Sequence, residues 1–313
     1  METQLSVSLK GFNDENLAHS VGNSLLYFFN QLNEYIDISR LEQIGIGYSD
    51  EDYTLLLSEC RKGLTRTSDS IATGAGMTII SDPKDLKFKV LFSGIGIVGL
   101  IKKHYDNDES LLASSIHTIA HEFIHVYVGT ELYTNYPELL TTITPKNLHE
   151  ELKWKTILSC WDEYRVCSLC ATFGENPYEG YKEILKNTLT NFENNIAKAK
   201  LDRSDWGVLL NKVYAEIHGL LKYASYYLGT CKGLEINYHE TDFYTEIISK
   251  SWFHRYFVRL AKVLDAIDTS FEKEIYDLNI FFEISEILIE ISLDYKVSVH
   301  EQPNNSVWVQ LIS

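Results

Sequence analysis

From Asp106 to about Tyr295 apolar residues recur at helical spacing almost without interruption, and proline occurs there only at Pro137, Pro145 and Pro177. Proline inside a helix removes a backbone donor and clashes with the preceding turn. Its near absence over this stretch therefore predicts a run of long helices joined by short connections. The expected helices cover 106 to about 129, 152–173, 178–200, 205–228, 239–266 and 270–291. The first opens at Asp106-Asn-Asp-Glu109, where an aspartate three residues before a glutamate resembles a capping box. The second stops at Gly174-Glu-Asn-Pro177.

The flanks have a different texture. Leu5, Val7 and Leu9 alternate with polar residues, as in a half-buried strand, and an apolar stripe through Leu17, Val21, Leu25, Phe28 and Phe29 predicts a helix over 13–33. Three strand-like stretches follow at 41–48, 77–80 and 88–92, punctuated by glycine and by Asp82-Pro83. At the other end Tyr295, Val297 and Val299 alternate, then Val307, Val309 and Leu311, with Pro303-Asn-Asn-Ser306 as the turn. With no repeat and no obvious linker, the expectation is one α+β unit over 1–313. It comprises a mixed α/β part with a small sheet (1–105), a mainly helical part (106–313) and a C-terminal β-hairpin.

Charge narrows the partners. Lys+Arg 28 against Asp+Glu 44 leaves a net charge of −16, and no basic run occurs, which argues against binding a nucleic-acid backbone. The longest nearly apolar run, 90–101, contains three glycines and a serine and falls well short of the about 20 residues a membrane span needs. Met1-Glu-Thr-Gln-Leu5 has no basic segment leading into an apolar one, so no secretory leader is expected. The cysteines, Cys60, Cys160, Cys167, Cys170 and Cys231, are odd in number and sparse, which suits reduced thiols. These features predict a cytoplasmic protein.

His121-Glu122-Phe123-Ile124-His125 is an HExxH within the helical pattern Leu112, Ile116, Ile119, Phe123, Val126. Four residues apart on a helix, His121 and His125 share a face and can both reach one Zn²⁺ at about 2.0–2.1 Å. Glu122, about 100° around the helix, is placed to take a proton from a water activated by the metal and pass it to a leaving amine. The competing reading is two histidines facing solvent or satisfied in a core. Three ionisable groups in an apolar helix are costly, however, unless something pairs them.

A catalytic zinc site wants a third protein ligand. Three and six residues after His125 stand Val128 and Glu131, not the Gly and His of a metzincin, and Gly129-Thr130-Glu131 only faintly echoes an aspzincin stretch. A second helix must then supply it. In Trp161-Asp162-Glu163-Tyr164-Arg165, Glu163 is the best candidate, Asp162 competes, and Glu150 and Glu151 are weaker. An ion pair with a nearby Lys or Arg is the alternative role for Glu163.

His-Glu-Phe-Ile-His-Val followed by a helix with Trp-Asp-Glu-Tyr-Arg resembles the gluzincin class of zinc metallopeptidases, within it the ImmA/IrrE-type and related bacterial and phage zincins. The likeness covers about 85–175. It implies a zincin-like fold, His121, His125 and Glu163 as zinc ligands, Glu122 as general base, and an edge strand near 88–92 that pairs with substrate backbone. Thermolysin-like members carry an aspartate four residues after the ligand glutamate to orient a histidine; here that position is Cys167.

Other signals weigh less. Gly94-Ile-Gly96-Ile-Val-Gly99 is a literal GxGxxG, but an HExxH helix follows it where a Rossmann unit needs a second parallel strand. Cys167-Ser-Leu-Cys170 lies within a helix and suits small buried side chains better than a zinc knuckle, although Cys160, Glu163, Cys167 and Cys170 share a face, which leaves a thiol near the metal as an alternative. His117 extends the histidine stripe by one turn; a group that supports the metal site or meets substrate is one reading, and a partly exposed histidine is the expected one. His218, Tyr223, Tyr226 and Tyr227 are candidates for hydrogen-bonding an oxyanion. The leading expectation is a zinc-dependent peptidase acting on a peptide or protein. The alternative is a zincin-fold regulator or sensor that binds a partner without turnover.

Overall fold

The structure, a computed structural model, describes residues 5–66, 74–102, 108–141, 144–202 and 205–312. The chain divides into two compact units, Met1–Asn135 with Leu169–Asn176, and Tyr136–Ser168 with Pro177–Ser313. The α+β class, the small N-terminal sheet and the C-terminal hairpin expected from the sequence are all present.

The first unit is built on strands β1 (Ser6–Lys10), β2 (Leu41–Gly47), β3 (Gly76–Asp82) and β4 (Lys87–Ser93) in the order β1-β2-β4-β3. β1, β2 and β4 are parallel, with β3 antiparallel to β4. Between them run helices α1 (Glu15–Asn33) and α2 (Asp50–Cys60); after β4 come α3 (Val98–Lys102) and α4 (Glu109–Asn135). Strand alternation gives the sheet two apolar faces. Met77, Ile79 and Leu91 pack with Tyr53, Leu56 and Leu57 of α2. On the other face Phe92 meets Phe123 of α4, whose ring also contacts Phe28 and Phe29 of α1.

The 88–92 stretch is not an edge strand: β4 is paired on both sides, and the edge beside α4 is β3. The segment after β2, which carries no strong apolar period, forms α2 behind a capping box in which Ser49 and Asp52 satisfy each other's backbone N–H. The cap expected at Asp106 lies outside the described residues; Asp108 instead accepts from Ser110 N and Leu111 N, both at 3.1 Å. α4 also runs past Gly129 to Asn135. The GxGxxG glycines serve close packing. A side chain at Gly94 would meet Tyr48 O at 2.2 Å, and one at Gly99 would meet Leu111 O at 2.1 Å.

The second unit contains α5 (Glu138–Thr141), most of α6 (Leu148–Cys170), α7 (Tyr178–Ala199), α8 (Trp206–Gly233), α9 (His254–Glu272) and α10 (Phe282–Asp294). The hairpin β5 (Val297–Glu301) and β6 (Val307–Leu311) closes the chain. α8 packs against α7, α9 and α10. The helix expected over 239–266 begins only at His254, after a 3₁₀ turn (Tyr238–Glu240) and a π turn (Tyr244–Ile248); the one expected over 270–291 is displaced to α10. Trp161 of α6 stacks on Phe271 of α9 at 5.1 Å. Among the described residues no helix is long and apolar enough to cross a membrane.

Asp268 of α9 is fully buried and is bound by Arg165 of α6 at 2.6 Å and by Lys232 of α8, so one carboxylate ties three helices. Removing it strands two cations. Asp268→Ala should cost about 3–5 kcal/mol in urea unfolding followed by tryptophan fluorescence, while Asp265→Ala, at an exposed partner of the same Lys232, should cost about 1 kcal/mol or less.

Candidate metal centre

α4 buries Phe123 in the sheet and so turns His121 and His125 away from it. His121 and Glu122 are buried, and His125 is partly buried. The two Nε2 atoms stand 3.1 Å apart with the rings at 80°. Two nitrogens bound to one tetrahedral zinc at 2.0–2.1 Å lie about 3.3 Å apart, so the pair fits as two ligands of one ion. Two lone pairs at this separation repel, so a proton or a cation must lie between them.

Glu122 leans toward the edge strand. Thr78 Oγ1 of β3 lies 2.9 Å from both the backbone oxygen and Oε2 of Glu122, sharing its one hydroxyl proton between them. Two residues back on the same face, Gly76 leaves room for the carboxylate: a Cβ there would stand 2.6 Å from Glu122 Cγ and 3.0 Å from Oε1. Neither Thr78 nor Gly76 was identified from the sequence. The available signal was the period-2 pattern that places both on the face opposite Met77 and Ile79.

The far side of the histidine stripe holds a thiol. His121 Nδ1 is 3.7 Å from Cys170 Sγ, and His117 Nδ1 is 3.2 Å from the Phe173 carbonyl. A carbonyl oxygen only accepts, so His117 carries its proton on Nδ1 and keeps its lone pair on Nε2. Burial, as the largest cause, holds its pKa below the usual histidine range and favours this neutral ring. His117, expected to be partly exposed, is indeed partly buried. Of the three thiols that share a face of α6, Cys170 at its end is the one that meets His121.

Glu163 belongs to the second unit. Its side chain is 12% exposed and lies 3.8 Å from Lys222 Nζ of α8, so the ion pair considered as an alternative is present. Tyr226, one turn beyond Lys222, donates its hydroxyl to Glu163; burial, and then that carboxylate, raise the phenol's pKa well above its ordinary value. Asp162 is partly buried. Glu150 caps the start of α6, accepting from Lys146 N at 2.6 Å, and Glu151 is exposed. Tyr227 is hydrogen-bonded to Thr241 at 3.0 Å and lies 3.3 Å from Tyr178 Oη, and Tyr223 stacks on Tyr226.

No protein-family profile matches this chain, and neither does any curated protein or solved structure.

His218, one turn before Lys222, lies 3.3 Å from Thr156 Oγ1, and burial lowers its pKa to about 3. The unfolded chain would protonate this ring near pH 6.5, so between pH 6.5 and 3 unfolding takes up a proton that the folded state refuses. Stability therefore falls as pH drops through this window, by at most about 1.4 kcal/mol per pH unit from this group. His218→Gln should flatten that slope relative to wild type in urea titrations between pH 6.5 and 4; parallel curves would refute the assignment.

Proposed function

We propose that this chain is a zinc-dependent metallopeptidase of zincin-like fold, with His121, His125 and Glu163 as metal ligands and Glu122 as general base. The observation that carries the reading is the convergence of the His121 and His125 Nε2 atoms at 3.1 Å beside a carboxylate held on an edge strand. Two imidazoles and one carboxylate are a donor set that suits Zn²⁺ and leaves a position open. Glu163 is taken as third ligand on its place in the apolar pattern Trp154, Ile157, Leu158, Trp161 and Leu169, and on the resemblance of Trp161-Asp162-Glu163-Tyr164-Arg165 to the ligand helix of gluzincins.

Zinc, when bound, supplies the Lewis acidity that brings the pKa of a water toward ~7. The chain's own groups do the rest. Thr78 holds Glu122 Oε2 and fixes the plane of the carboxylate, and Gly76 keeps the space around Oε1 clear for accepting the proton and returning it to the leaving amine. The resemblance placed substrate along an edge strand, and β3 takes that role. Its outer edge, unpaired by any other strand among the described residues, can add an extended peptide by backbone hydrogen bonds.

Metal analysis of the purified protein should find about one zinc per chain, lost in His121→Ala/His125→Ala. Glu122→Gln should keep the zinc while cleavage of an unbiased peptide library falls at least ~10²-fold. Zinc retained without cleavage by wild type would favour the regulatory reading, and zinc lost from Glu122→Gln would make Glu122 a ligand. In parallel titrations Glu163→Gln should weaken zinc binding strongly and Asp162→Asn should leave it nearly unchanged; the reverse order moves the third ligand to Asp162.

A further inference from the structure

We propose that His117, His121 and Cys170 form a second, thiolate-containing metal site that competes with the HExxH pair for His121. Each of the three offers a ligand atom, and these lie within 4.8 Å of one another. His121 and Cys170 are buried and His117 is partly so. The His121 Nδ1 to Cys170 Sγ separation of 3.7 Å is close to the about 3.6 Å between a nitrogen and a sulfur on one tetrahedral zinc. His117 is held for the same task. Its Nδ1–H donates to the Phe173 carbonyl at 3.2 Å, the orienting bond typical of a ligating histidine, and Nε2 keeps the lone pair. A donor set of two imidazoles and one thiolate selects borderline-to-soft divalent ions: Zn²⁺, Co²⁺ or Cd²⁺.

A neutral imidazole has one lone pair, so His121 cannot serve both centres at once. With its proton on Nδ1, directed at Cys170, it presents Nε2 to the point shared with His125. With its proton on Nε2, donated to His125 at 3.1 Å, it presents Nδ1 to Cys170 and His117. Binding at the thiol site releases the Cys170 proton to solvent and locks the second arrangement, which withdraws His121 from the HExxH centre. The inference stands on these contacts and does not rest on the peptidase reading.

Cobalt titration of the full chain tests it, because a thiolate ligand to Co²⁺ gives a near-ultraviolet charge-transfer band that nitrogen and oxygen ligands do not. The band should appear in wild type or, with the competing centre removed, in His125→Ala. It should vanish in Cys170→Ser, and His117→Ala should weaken cobalt binding at that site by at least about tenfold. Circular dichroism of each variant establishes that it is folded, so the His125→Ala band is read on a folded chain and not on thiols exposed by unfolding. Saturation of both wild type and His125→Ala with cobalt without the band would overturn the proposal, as would a band that survives Cys170→Ser. Loss of peptide cleavage in Glu122→Gln bears only on the HExxH centre, so the two readings fail separately.

Discussion

Phe123 is fully buried against Phe92 of β4, with Phe28 and Phe29 of α1 beside it, and this aromatic contact sets the rotation of α4 about its axis. At about 100° per residue, His121 and His125 then fall about 160° and 200° from Phe123, straddling the side opposite the sheet. Glu122 falls on the flank, where β3 supplies Thr78 and Gly76. The apolar anchor thus decides which polar residue does what: rotated so that the preceding position faced the sheet, the helix would drive the Glu122 carboxylate into it. Burial of the ring, worth on the order of 2–3 kcal/mol, offsets part of the cost of holding His121 and Glu122 out of water.

What could be read from the sequence follows from the range of the forces involved. The HExxH spacing, the helices as far as α8 and the closing hairpin are local periodicities, and they appear within about two turns of where the pattern puts them. α2 escaped because its signal is a cap, Ser49 with Asp52, followed by only Tyr53, Leu56 and Leu57 as buried positions. The break before α9 escaped for a different reason. Tyr238, Tyr244 and Phe257 pack edge to edge across it, so apolar spacing continues through residues whose backbone is 3₁₀ and π. Which strand forms the sheet edge is a question of topology. It is settled by the antiparallel return of β3 onto β4, and no window of sequence holds that information.

Cys170 shows a subtler limit. A spacing taken from thermolysin-like enzymes points four residues past Glu163, to Cys167, because it assumes an aspartate reaching a histidine from there. Here the partner of His121 is a sulfur at the last residue of α6. Aspartate is acceptor-only at neutral pH and fixes one tautomer of a histidine, whereas a thiol can donate or accept. With a thiol as its neighbour, the His121 proton has two self-consistent positions.

Glu163 illustrates how the second unit prepares a charge. His218, Lys222 and Tyr226 follow one another at four-residue intervals along α8, so they share a face; Lys222 and Tyr226 meet the carboxylate directly. Burial keeps His218 neutral and Tyr226 a phenol, which leaves Lys222 as the cation and Tyr226 as a donor. Nearby on the same α6 face, burial pushes the Cys160 thiol up to about 12, so it stays protonated. A lysine at 3.8 Å attracts a carboxylate without occupying it as a close hydrogen bond would. Lys222 thus balances the Glu163 charge across a gap, while the close hydrogen bond comes from Tyr226.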